Sequence, residues 1–277
     1  MLKTRVLTGS VLIALLIISI FYATNPIFTL VTGIIFLIAV WEWTRLSGFK
    51  SLWGRALAFF AIPGLAFVLF AGLQALGVTG LYQTGVLRRG VIYSILAFWS
   101  LVSIGVSIYP KGASLYHSKL FNLIIGIFVL IPPWVTLIAL QAIRPSWVLY
   151  PLVLVWVADT AAYFVGKRFG KHLLAPQLSP GKTWEGVLGA FAGTLIVSVT
   201  GYFLLVNHTG SFFIPWLLLN IITVLFSIVG DLFESLFKRE QQLKDSGSLL
   251  PGHGGVLDRI DSLTAALPIF VIGLMFF

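Results

Sequence analysis

At 277 residues, 58% hydrophobic and only 10% charged, with a mean hydropathy of +1.02, the chain is far more apolar than a soluble domain, in which about a quarter of residues carry charge. The absence of cysteine excludes a disulfide framework, a thiolate nucleophile and a cysteine metal site. The net charge of +9 fits a basic membrane face attracted to anionic lipid, and no nucleic-acid role is needed to explain it.

About nine apolar runs approach the roughly twenty residues that a bilayer crossing requires. In chain order they lie near Val6 to Tyr22, Ile27 to Trp41, Leu57 to Leu76, Val91 to Tyr109, Leu120 to Ala142, Trp147 to Val165, Val187 to Val206, Phe213 to Phe233 and Val256 to Phe277. The expected fold is therefore an all-α polytopic membrane protein with about nine transmembrane helices. The first run follows Lys3 and Arg5, but FYATNP leads at once into another apolar run, so it reads as an uncleaved span and not a secretory signal. With a cytoplasmic N-terminus, the inside segments hold fifteen of the eighteen Lys and Arg residues; only Arg88, Arg89 and Arg144 lie outside, as does the C-terminus. The chain divides into an N-terminal transmembrane scaffold, 1–145, and a catalytic transmembrane region, 146–277, with two cytoplasmic polar loops, 166–186 and 236–256.

The acids concentrate the chemistry, because all but Glu42 belong to the second half. Glu42, between Trp41 and Trp43 and three residues before Arg45, reads as an interfacial helix-end partner. Asp159 precedes Lys167 by eight residues and Asp231 precedes Lys238 by seven. On a helix this sets each carboxylate roughly 10 to 12 Å inside its basic end. Asp258 and Asp261 enter the ninth run from the same side, at i and i+3 on one helix face. A carboxylate in a span costs several kcal/mol unless it meets a wet cavity or a partner, so its default reading is functional. Together with Asp231, the pair offers hard oxygen donors to a divalent cation, and Mg²⁺ prefers a few carboxylates completed by water and substrate phosphates.

The basic residues agree with phosphate chemistry: Lys238, Arg239, Lys244 and Arg259 all lie near these acids. GHGG, Gly252 to Gly255, gives a turn whose backbone N–H groups can approach a phosphate at a helix N-terminus. His253 either donates to a phosphate or caps that turn, and without a second histidine nearby it makes no histidine metal site. The other polar loop contains GKT, but a P-loop requires glycine where Pro176 stands, and no strand is expected before it. Thr183 is read as an N-cap, Glu185 as favourable to the helix dipole, and Lys182 as the loop's phosphate-binding candidate.

The run SLFKREQQLKDSGSLLPGHGGVLDRID, Ser235 to Asp261, resembles the signature of the phosphatidate cytidylyltransferases, or CDP-diacylglycerol synthases. The matching positions are Ser235, Lys238, Arg239, Lys244, Asp245, Pro251, His253, Gly254, Gly255, Asp258, Arg259 and Asp261. SPGKTWEG, Ser179 to Gly186, is similar to a second block of that family, in which a lysine commonly stands in place of Gly181. The resemblance implies that CTP and phosphatidate give CDP-diacylglycerol and pyrophosphate, with Mg²⁺ and a second cation such as K⁺. Asp231, Asp258 and Asp261 are then expected at the metal, with Lys238, Arg239, Lys244 and Lys182 on phosphates and Gly254 and Gly255 at the triphosphate. Ser179, His253, Arg259 and Asp159 complete the expected substrate cavity. The partners implied are CTP, phosphatidate and membrane lipids, with a homodimer left open, in the cell (inner) membrane and with the active site facing the cytoplasm. The alternative is an ion-coupled secondary transporter, which would use intramembrane carboxylates and a helix broken at Pro132 and Pro133.

Overall fold

The structure, a computed structural model, describes residues 2–75, 86–206, 212–250, 252 and 254–276. In chain order the helices are α1 Leu2–Tyr22, α2 Asn25–Leu46, α3 Leu52–Ala75, α4 Val86–Ile108, α5 Lys119–Ile143, α6 Pro145–Phe169, α7 Trp184–Gly201, α8 Phe213–Glu240 and α9 Leu257–Leu274. Each of the nine apolar runs coincides with one of these helices. Among the described residues, six of them (α2, α4, α5, α6, α7 with its π-helical extension to Val206, and α8) are by length and apolar composition alone sufficient to span a membrane. In lipid every backbone polar group must be satisfied within the segment, which is why long apolar runs become helices. The chain is thus a polytopic helical membrane protein. α5 continues through Pro132 and Pro133 from Lys119 to Ile143, so the broken helix expected of a transporter is not there.

One departure from an all-helical chain lies in the first polar loop. Leu173–Ala175 (β1) pairs antiparallel with Ser179–Thr183 (β2), and the GKT fragment lies inside β2. The hairpin delivers Thr183 to the start of α7, where its hydroxyl accepts from Gly186 N at 3.1 Å as the predicted N-cap. Glu185 Oε1 meets His172 Nδ1 at 2.7 Å, while its Oε2 accepts the backbone N–H groups of Lys171 and His172, so this acid fastens the hairpin to α7.

α9 is the hub. Every residue from Ser262 to Ile272 is buried, and the helix packs against α5, α6 and α8. Small residues allow the close approaches on which the site depends. A Cβ on Gly230 of α8 would stand 2.7 Å from the Asp261 carbonyl oxygen, and one on Gly189 of α7 would stand 2.6 Å from Val165 Cβ on α6. Close helix contact through small residues is the usual means of association where lipid removes the hydrophobic drive. α8 is divided by face. Phe233 and Phe237 are buried among aromatic rings, with Phe237 4.7 Å from Trp43 of α2, and Trp43 Nε1 donates to the Asn122 carbonyl of α5 at 2.9 Å. Asp231, Glu234 and Lys238, at i, i+3 and i+7, form a polar stripe on the same helix.

Glu42 has a different position from the interfacial one expected. It is 4% exposed and makes no ion pair with Arg45; instead it crosses to the far end of the chain. Its Oε1 accepts from Val256 N at 3.0 Å, and its Oε2 accepts from Leu257 N at 2.8 Å and Ser246 Oγ at 3.1 Å. A carboxylate on the first N–H groups of α9 satisfies donors that the helix itself cannot and complements the helix dipole. The closeness is tight enough that a Cβ on Gly247 or Gly255 would collide with Glu42. We expect Glu42→Ala to lower stability by about 2 kcal/mol, the upper range for a lost helix cap, and Glu42→Gln to lose less because it keeps one acceptor oxygen. Thermal unfolding in detergent measures the order; equal stability of wild type and Glu42→Ala would contradict the capping role.

Candidate active site

A cavity of about 460 Å³ opens between α6, α7, α8, α9 and the hairpin. Among its lining residues are the carboxylates of Asp159, Asp231, Asp258 and Asp261 and the cations Lys182 and Arg259. Four acids from three helices thereby share one chamber with two cations. The expected depth relation between Asp159, Asp231 and the entrance of α9 accounts for this convergence.

The individual contacts distinguish the four acids. Asp231 Oδ2 pairs with Lys182 Nζ at 2.7 Å, joining α8 to the hairpin across the cavity, and its Oδ1 accepts from Ser235 Oγ at 3.4 Å. Asp159 accepts a 3.5 Å hydrogen bond from Ser262 Oγ. Asp261 Oδ1 accepts from Ser262 N at 2.8 Å, and among the described residues Asp261 has no basic partner within ion-pair distance. Asp258 is the most engaged. Its Oδ1 receives Lys238 Nζ at 2.9 Å, and its Oδ2 receives Ser246 Oγ at 3.0 Å, Ser246 N at 3.0 Å and Gly255 N at 2.8 Å. The last contact spans three residues back to the turn before α9, as the acid of a capping box does.

Lys238 also lies 3.3 Å from Glu234 Oε1, which is 3% exposed; neither Glu234 oxygen receives an aligned hydrogen bond. The lysine expected on a phosphate thus sits between two carboxylates. Arg239 Nε donates to the Leu178 carbonyl at 3.0 Å, tying the end of α8 to the hairpin. Arg259 is exposed to the cavity and forms no ion pair with its neighbours Asp258 and Asp261, which leaves its guanidinium available to a phosphate. Lys244 is exposed in the second polar loop, and neither it nor Ser179 lines the cavity. Gly254 has φ of +83° and its carbonyl accepts from Leu250 N at 3.0 Å, closing a turn that glycine alone enters without strain. The Gly255 N–H points to Asp258. His253 lies outside the described residues.

The donor set is hard and anionic, which suits a divalent cation such as Mg²⁺. Among the described residues no three His, Cys, Asp or Glu side chains converge closely enough to hold a metal unaided. Mg²⁺ commonly uses one or two carboxylates and takes its remaining ligands from water and substrate phosphates, so Asp231 and Asp261 with a triphosphate fit its needs. Asp258 reaches such a cation only by giving up a bond from Lys238, Ser246 or Gly255. Sequence reasoning left Glu234, Ser246 and Ser262 without roles. Glu234 was detectable, because it stands three residues after Asp231 and four before Lys238 on one helical stripe.

The model of the cytidylyltransferase family matches residues 3–277. The chain is similar to a protein of Pseudomonas aeruginosa named phosphatidate cytidylyltransferase, 39% identical over 272 residues, which cover 98% of this chain and 96% of that one. A Haemophilus influenzae protein of the same name is 36% identical over 288 residues, covering 98% and 97%. One from Staphylococcus aureus is 46% identical over 129 residues, covering 46% and 48%. With a match that runs almost the whole length of the chain and a cavity lined by acids and cations, this protein belongs to the cytidylyltransferase family.

Proposed function

We propose that the chain transfers the cytidylyl group of CTP to phosphatidate, giving CDP-diacylglycerol and pyrophosphate. The observation that carries this reading is a chamber of mixed charge set among membrane helices, in a chain whose full-length relatives are named for that reaction. A lipid phosphate arriving from the leaflet and a triphosphate arriving from water would meet in that chamber.

The phosphatidate phosphate is already an anion and needs no general base. Its oxygen attacks the α-phosphorus of CTP, a new P–O bond forms, and the bond to the β-phosphate breaks in line to release pyrophosphate. Catalysis then rests on positioning and on neutralising charge. Lys182 and Arg259 meet the phosphates in the cavity; Lys238 and Arg239 keep α8 registered against α9 and the hairpin. Asp231 and Asp261 would hold Mg²⁺, with K⁺ as the second cation expected, and the metal would supply charge neutralisation to the triphosphate. Asp159 and Ser262 shape the polar wall beside them.

The same reading sets the protein across the cell (inner) membrane with nine spans, the N-terminus and both polar loops in the cytoplasm and the C-terminus outside. Fifteen of eighteen Lys and Arg residues on the inner side support that orientation.

Two experiments test it. Purified protein given labelled CTP, phosphatidate and Mg²⁺ should form a chloroform-soluble product. Asp261→Asn and Asp231→Asn should lower its rate by roughly a hundredfold or more, the scale of a lost electrostatic contact in a transition state; near-normal turnover by both at saturating Mg²⁺ would remove the metal assignment. Because the chain has no cysteine, Lys244→Cys provides a single thiol. It should react with an impermeant reagent only after the inner face is exposed, and labelling of intact cells would reverse the topology.

A further inference from the structure

A second cavity, about 620 Å³, lies between α2, α3 and the loop that carries Ser246. Two guanidiniums stand in its wall: Arg45 from the last turn of α2 and Arg55 from the first turn of α3. Arg45 is exposed and enters no ion pair among the described residues. Arg55 is held rigidly. Its Nε donates to Thr44 Oγ1 at 3.1 Å, its Nη2 to the Trp41 carbonyl at 3.0 Å, and its guanidinium lies 4.1 Å from the Trp41 ring centroid. A guanidinium has five N–H donors, so this arrangement orients Arg55 without exhausting it. The one acid in the wall, Glu42, turns its oxygens to Val256, Leu257 and Ser246 and forms no ion pair with either cation; its single negative charge still acts on Arg55, so one of the two positive charges remains in excess.

The opposite side of the cavity is apolar, formed by Leu37, Ile38 and Phe59. It merges with an apolar outer surface, where Leu37 is 44% exposed and Leu57 and Phe60 are exposed by 74% and 70%. Cations at one end and hydrocarbon at the other describe a receptor for an amphiphile. We infer that this cavity binds an anionic glycerophospholipid, its phosphate on Arg45 and Arg55 and its acyl chains along Leu37, Ile38 and Phe59. A free phosphate or a nucleotide has no use for the apolar end. Ser246 and Gly247 are part of the same wall, and Ser246 also binds Asp258 of the catalytic cavity. A lipid bound there lies beside the loop that holds Asp258.

The inference goes beyond cytidylyl transfer, and its test uses phosphatidylglycerol, whose phosphodiester cannot serve as the nucleophile of that reaction. Full-length protein released from mixed vesicles of phosphatidylglycerol and phosphatidylcholine is examined by native mass spectrometry. The wild type should retain phosphatidylglycerol in preference to phosphatidylcholine. Arg45→Gln, an exposed change that leaves the fold intact, should weaken retention roughly tenfold, the scale of one charge-assisted hydrogen bond. Lys182→Gln in the catalytic cavity should not change it, and inorganic phosphate should not displace the lipid. Equal retention of both lipids, a loss with Lys182→Gln but not with Arg45→Gln, or displacement by inorganic phosphate would each overturn the inference. Leu37→Trp, which fills the apolar end, supplies a second variant and should lower retention without altering either cation.

Discussion

The site depends on the Asp258 carboxylate, which receives Lys238 from α8, Ser246 from the second polar loop and Gly255 from the turn that opens α9. Three separate pieces of chain are fixed by one side chain. A partly buried ion pair is worth having only when hydrogen bonds satisfy what water no longer does, and here both oxygens are supplied. Glu42 extends the same arrangement into the first half of the chain, because Ser246 and the N-terminus of α9 both rest on it. Removing Lys238 from the pair with Asp258 costs several kcal/mol, since the Asp258 charge stays in place without its ionic partner.

Once α9 is anchored, the rest of the cavity follows from close packing. The missing side chain at Gly230 lets α8 approach the Asp261 backbone, which brings Asp231 and Asp261 to one chamber. The hairpin closes the chamber from the polar side and contributes Lys182, whose ion pair with Asp231 balances charge across the opening. Asp258 thus organises, while Asp231 and Asp261 are the acids with oxygen atoms to offer. A mixed wall of this type is suited to a reaction whose reactants come from different phases. Cations attract phosphates, and acids hold the metal that accompanies a triphosphate.

Much of the fold was legible in the sequence because a bilayer imposes a length on apolar runs, and all nine runs coincide with helices. Thr183 was legible as a cap because local chemistry decides it. The hairpin was not: β2 is SPGKT, with proline and glycine inside, and its pairing comes from its place between α6 and α7. The acids of the site could be grouped by depth, but their separate tasks could not, since spacing gives a face and not a partner. Asp258 and Asp261 share a helix face, yet Lys238 chooses only Asp258. Glu42 was the least legible, because its partners lie more than two hundred residues away in the chain.

The central claim is that the cytidylyl group itself crosses to the lipid, and the position of a radiolabel in CTP tests it most directly. Phosphate label at the α-position should pass into chloroform-soluble lipid in step with consumption of phosphatidate, while label at the γ-position should leave entirely as pyrophosphate. Lipid labelled from the γ-position, or α-label that never leaves the aqueous phase, would contradict the account.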